Sequence, residues 1–331
     1  MFDTLLIFCF ANFLLFFLVS SFSYKFGLID IPNKRKNHLK PTAYTGGLAL
    51  CLIYIISIFL FNFSSQKLDL ILSSAFLIAL VGLIDDKYNL NVGGKLSLQI
   101  IPIIYLIIPE NMNLIGLGDY DYFKLKLNSF SIPFTLLSTI FLINSFNYLD
   151  GSDGTLGFSL ISVIGILYFL SANEGPHLYL IIILIPILIF LCFNFSLFKL
   201  PKLFLGDSGS LLMGFIFSFT LIYFANQKIV HPILLAFSIS IFVYEFLSVN
   251  IIRLIWKKKI FSAGFDHLHH ILLKKSKSLL LTNFFITFMN ISFFACGYIS
   301  YKYINPLTSL ILFILCFLIF FIFRKKFYQD L

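Results

Sequence analysis

Long apolar runs, separated by short polar interruptions, fill the chain almost from end to end. Crossing a bilayer takes roughly 17–25 consecutive apolar residues, fewer where a helix is sheltered by protein. By that rule eleven stretches read as spans: 4–22, 46–63, 69–84, 96–109, 132–148, 156–171, 178–197, 209–225, 232–254, 280–301 and 307–323. Hydrocarbon cannot solvate a bare backbone, so the expected fold is an all-α integral membrane protein, one polytopic domain over residues 1–331. The segment 111–131 departs from this pattern. Its weak alternation at Tyr120, Tyr122, Leu125 and Leu127 predicts a short hairpin outside the membrane.

Charge then orients the spans. With the N-terminus outside, 19 of the 24 Lys and Arg residues fall on the inner side, as cytoplasmic loops require. The same choice places Asp30, Asp85, Asp86, Asp150, Asp153, Asp207 and Asp266 inside, together with His38, His267, His269 and His270. The predicted location is the inner (cytoplasmic) membrane, with the chemistry facing the cytoplasm. Composition agrees: 59% of residues are hydrophobic and 12% charged, against about 25% charged in soluble domains. The net charge of +9 belongs to cytoplasmic loops, so no nucleic-acid partner is expected. All five cysteines sit inside apolar runs, which leaves neither a disulfide framework nor a metal-ligand spacing. No basic segment or small-residue cleavage signature accompanies the first run, so it reads as a retained span.

Polar chemistry gathers in a few inner-side stretches. Asn144-Ser-Phe-Asn-Tyr-Leu-Asp-Gly-Ser-Asp-Gly-Thr-Leu-Gly157 packs amides, carboxylates and glycines between two apolar runs. Asn144, Asn147 and Asp150 are three apart, which on a continued helix is one face. Such groups must meet an aqueous cleft or a polar ligand. The adjacent carboxylates Asp85 and Asp86 repel unless a cation is near, and Mg²⁺ takes one or two carboxylates plus phosphate oxygens. Lys95 is a matching phosphate counter-charge. Asp207, in Phe204-Leu-Gly-Asp-Ser-Gly-Ser, could serve a metal–diphosphate or simply cap the following helix. Three imidazoles in Asp266-His-Leu-His-His270 lack a zinc pattern and fit better as donors to a sugar diphosphate. Arg35 and His38, in the basic loop after Gly27, could hold an anionic lipid headgroup or merely satisfy the inside-positive rule.

Taken together, Asp30 to His38 with Gly46-Gly47, Asp85-Asp86 with Lys95 and Gln99, Asn144 to Gly154, Asn194 with Phe204 to Ser210, and Glu245 with Arg253 and His267 to His270 resemble the polyprenyl-phosphate N-acetylhexosamine-1-phosphate transferase family. Glu245 stands where that family typically has aspartate. The resemblance implies transfer of a sugar 1-phosphate, of the GlcNAc type or from another UDP-N-acetylhexosamine donor, to undecaprenyl phosphate, with release of UMP. It implies Asn147 and Asp207 as ligands of Mg²⁺ (Mn²⁺ as substitute), with Asp85 and Asp86 beside the metal and Asp85 orienting or deprotonating the lipid phosphate. Gly151, Ser152 and Asp153 would contact uracil and Phe204 would stack on it. His267, His269 and His270 would hold the sugar phosphate, with Lys95 and Arg253 as nearby cations. Asp150, Asn194, Arg35 and His38 complete the implied site. Expected partners are the two substrates, membrane lipids and a second copy of the chain. The reading from a different class is a multi-span transporter or flippase, whose charged groups would sit at the bilayer midplane instead of one face.

Overall fold

The computed structural model describes residues 2–32, 40–172, 175–259, 264 and 266–329. In chain order the elements are α1 (Phe2–Phe26), β1 (Ile29–Asp30), β2 (Thr42–Ala43), α2 (Gly46–Leu60), α3 (Gln66–Tyr88), α4 (Val92–Ile107), β3 (Gly116–Asp119), β4 (Lys124–Lys126), α5 (Ser131–Leu149), α6 (Thr155–Leu170), α7 (His177–Asn194), α8 (Gly206–Asn226), α9 (Pro232–Ser238), α10 (Ser240–Ile255), α11 (Leu268–Ser276), α12 (Leu279–Tyr303) and α13 (Pro306–Gln329). Every stretch predicted to span is helical. Among the described residues, seven helices are long and apolar enough to cross a membrane, or eight if the bent pair α9–α10 counts as one. The other three predicted spans, α2, α4 and α6, are shorter apolar helices. The predicted hairpin is β3–β4, antiparallel with a bulge between Gly116 and Gly118. The β1–β2 pair and the nine-residue α11 were not predicted.

The chain divides into two compact units, residues 1–110 with 176–217, and residues 111–175 with 218–331. In the first, α1 packs on α2 and α7, and α3 lies between α2 and α4. Aromatic side chains fill the contact of α1 with α7: the Phe16 ring sits 5.5 Å from Phe193 and 6.1 Å from Phe190. The Tyr54 hydroxyl donates to the Ile183 carbonyl at 3.1 Å and so ties α2 to α7. Extended backbone prepares the start of α8. The amide of Phe204 donates to Ala43 at 2.8 Å, and the amides of Gly46 and Gly47 donate to Phe204 and Leu205 at 2.9 Å each.

In the second unit α12 is the shared neighbour, touching α6, α9, α10, α11 and α13. The α9–α10 span bends by 71° at Ile239. A break in a span frees backbone groups that lipid cannot satisfy. Asn290 of α12 takes two of them: its amide donates to the Ser238 carbonyl at 2.9 Å, and its oxygen accepts from the Ile241 N–H at 3.2 Å. The same side chain bonds Ser240 and Ser162, so one buried asparagine closes the break.

Candidate active site

In the first unit the chain ends α3 with Asn89 in a left-handed conformation (φ 51°) and starts α4 with the Asn91 side chain capping the Gly94 N–H at 2.7 Å. This tight link folds Lys95 back onto the end of α3. Its ammonium lies 2.7 Å from Asp85 Oδ2 and also bonds Asp207 Oδ2. Asp85 Oδ1 accepts from the Leu90 N–H at 2.9 Å, which fixes the carboxylate. Asp86 faces the start of α8 instead, accepting from the N–H groups of Asp207 at 3.1 Å and Ser208 at 3.3 Å. A carboxylate there meets the free amides and positive end of the helix, so Asp86 is a cap supplied by another element. Gly206, at φ +72°, makes the approach possible: a Cβ there would lie 2.7 Å from Asp86 Oδ2 and 2.4 Å from the Tyr44 carbonyl. Asp85, Asp86, Lys95 and Asp207 therefore form one cluster, with Phe204 just upstream under the Lys202 ammonium. Asn194 stands behind it, its amide donating to the Leu203 carbonyl at 2.9 Å.

These oxygen donors suit a hard divalent ion. Among the described residues, however, no three His, Cys, Asp or Glu side chains are disposed as a metal cage. Asp85 and Asp207 share their counter-ion, Lys95, while Asp86 is occupied by backbone. Two carboxylates completed by substrate phosphate oxygens is a normal Mg²⁺ arrangement, so the cluster fits a metal that arrives with a diphosphate.

The second unit gathers the remaining predicted residues. Asp150 follows the last turn of α5, and its amide donates to the Asn147 carbonyl at 3.2 Å. The loop through Gly151, Ser152 and Asp153 is held from α12. Asn283, fully buried, donates to the Asp153 carbonyl at 2.8 Å and accepts from the Thr155 hydroxyl at 2.7 Å. With the Thr155 proton so used, the Ser152 hydroxyl is the donor in its 2.6 Å bond to Thr155. Gly151 sits against the His269 ring: a Cβ there would come within 2.0 Å of Nε2. His269 is fully buried, and neither ring nitrogen has a hydrogen-bond partner among the described residues. His267 lies parallel to it at 5.7 Å and His270 at 4.2 Å, while Tyr148 meets His267 edge-on at 4.8 Å. Burial holds all three imidazoles below the ordinary histidine range, His267 down to about 3. Arg253 forks onto Asp266, with Nε and Nη2 at 2.9 and 2.7 Å. Burial alone would raise the Asp266 pKa, but this pairing overrides it and holds the carboxyl below its usual range.

Arg35 and His38 lie outside the described residues. The sequence reading missed Asn283, Asn290, Asp266 as the partner of Arg253, and Arg324, which forks onto Glu245 at 2.8 Å through both Nε and Nη2. A signal existed for some. Asn283 and Asn290 are seven apart in an otherwise apolar span, hence on one face, and Glu245 is a lone carboxylate inside a span.

The apolar spanning helices define a polytopic membrane protein. Residues 68–225, which include the Asp85–Lys95–Asp207 cluster and the loop through Asp153, match the model of glycosyl transferase family 4. The chain is similar to the undecaprenyl-phosphate alpha-N-acetylglucosaminyl 1-phosphate transferase of Yersinia pestis, 28% identical over 78% of this chain and 73% of that protein. It is also similar to the protein of the same name in Escherichia coli K12, 26% identical over 82% and 76%.

Proposed function

We propose that the protein transfers an N-acetylhexosamine 1-phosphate, GlcNAc-1-phosphate first among them, from a UDP-sugar to undecaprenyl phosphate. A phosphate oxygen of the lipid attacks the β-phosphorus, the bond to the bridging oxygen breaks, and UMP leaves. The product is a lipid diphosphate sugar, the first membrane-bound unit of a cell-envelope polysaccharide. The observation that carries this reading is the Asp85–Lys95–Asp207 cluster, which lies inside the family segment and supplies charges of both signs. A phosphate nucleophile approaching a diphosphate faces mainly an electrostatic barrier, so fixed counter-charges are the relevant catalysts.

In this account the whole chain works as one catalytic domain with its chemistry at the cytoplasmic face. Asp207 and Asn147 are the residues that would hold Mg²⁺, which when bound would supply charge neutralisation to the donor diphosphate. Asp85 orients the lipid phosphate, Lys95 draws charge from the phosphates, and Gly151, Ser152 and Asp153 receive the uracil. The neutral imidazoles of His267, His269 and His270 offer hydrogen bonds to the sugar phosphate without adding charge. The bent α9–α10 span is the feature a transporter would use for ion binding. Its Ser238 carbonyl and Ile241 amide are already bound by Asn290, which supports the enzyme instead.

The test is purified protein in detergent with undecaprenyl phosphate, Mg²⁺ and a panel of UDP-N-acetylhexosamines. The expected result is UMP release that requires both the lipid phosphate and the metal. Sugar uptake into vesicles without UMP release would support the transporter.

A further inference from the structure

The histidine segment has little of its own to hold it. α11 has nine residues, well below the roughly 12–15 at which even favourable isolated helices become marginal. Its N-cap residue, His267, makes no side-chain capping bond. The missing acceptor comes from α10, where Glu245 Oε1 takes the Leu268 N–H at 2.7 Å. That carboxylate is itself gripped by Arg324, on the last helix of the chain, and both side chains are fully buried. Arg324 Nη2 also donates to the Asp266 carbonyl at 2.5 Å. Together with the Arg253–Asp266 fork, this fixes residues 266–268 at a carboxylate, a carbonyl and an amide.

We propose that Glu245 and Arg324 are positioning residues for the reaction: they set the register of α11, and so the placement of His267, His269 and His270. α13 thereby acts on the site through Arg324. Burying an ion pair is expensive and often contributes no net stability against an apolar replacement. Here both partners reach past each other to the backbone that leads into one helix, as a positioning device requires. The catalytic part of the inference rests on the histidines serving the transfer proposed above; the structural part stands without it.

The experiment measures hydrogen exchange by mass spectrometry on the full-length protein in detergent, comparing wild type, Arg324→Met, Arg324→Lys and the double variant Glu245→Gln/Arg324→Met. UMP release is assayed in parallel. In Arg324→Met the Leu268–Ser276 amides should exchange about tenfold faster or more while those of α12 keep wild-type protection. kcat should fall by a similar factor with the KM for the UDP-sugar little changed. Arg324→Lys, which keeps the charge without the fork, should fall between. The double variant, which retains an oxygen for the Leu268 N–H without an uncompensated charge, should recover much of the α11 protection. Should Arg324→Met fail to fold, Arg324→Lys and the double variant carry the same comparison. Unchanged exchange in α11, or loss spread equally over α12 and α13, would overturn the proposal. A wild type that releases no UMP yet shows the α11 response would sink only the proposed activity.

Discussion

An ammonium shared by two carboxylates, as Lys95 is by Asp85 and Asp207, has a consequence for each partner. Replacing Lys95 by Met leaves Asp85 and Asp207 without their shared counter-ion. UMP release should fall by about two orders of magnitude, the typical cost of losing one electrostatic stabiliser. Lys95→Arg should not restore it, because a planar fork cannot replace a compact charge at this spacing. Gly151 makes a steric prediction. Its absent side chain is the space that His269 Nε2 occupies, so Gly151→Ala must displace either the loop or the ring. A displacement near 1 Å costs about a hundredfold in rate. Turnover should therefore drop steeply in Gly151→Ala while the thermal midpoint in detergent shifts only slightly.

Single elements owe their form to a few polar side chains inside apolar packing. Asn290→Leu would leave the Ser238 carbonyl and the Ile241 amide without their side-chain partner where water is scarce. Thermal unfolding in detergent should then show a loss of about 1–2 kcal/mol. Asn283→Leu should act differently, freeing the Asp153 loop and raising the KM for the UDP-sugar several-fold, as initial-rate assays would show. The imidazoles around α11 give a pH dependence whose sign is fixed. Their folded pKa values lie below the ordinary histidine value of 6.5, so below that pH the unfolded chain binds more protons than the folded one. Stability should hold above about pH 6.5 and decline as the pH falls from there toward 3. Asp266, also depressed by its Arg253 partner, adds to the loss at the acid end. A thermal-midpoint series across pH checks this, with His267→Gln flattening the slope.

For the molecule as a whole, the apolar rhythm was enough to locate every spanning helix, because membrane helices satisfy their own backbone and need only length and hydropathy to be read. It did not show that α2, α4 and α6 are too short to qualify alone, since neighbouring polar ends blur the boundaries. α11 escaped because Lys274, Lys275 and Lys277 mask any apolar face, and because its N-terminus is capped from Glu245, far away in sequence. The site residues were legible as types and motifs, but not their partners. Asp86 capping α8, Asn283 holding the Asp153 loop and Arg324 gripping Glu245 depend on tertiary contacts that no local spacing encodes. The proposed orientation predicts that cysteines placed at Lys257 and at Lys124 label from opposite sides of the membrane, the first from the cytoplasm.

The central claim is the proposed transfer of a sugar 1-phosphate from a UDP-sugar with release of UMP. Its most direct test is exchange of labelled UMP into the UDP-sugar, in membranes containing lipid-linked product and Mg²⁺, for Asp207→Asn and His269→Ala made separately. The account predicts that each substitution alone abolishes exchange while the protein keeps its wild-type level in the membrane. Normal exchange in either variant would contradict it.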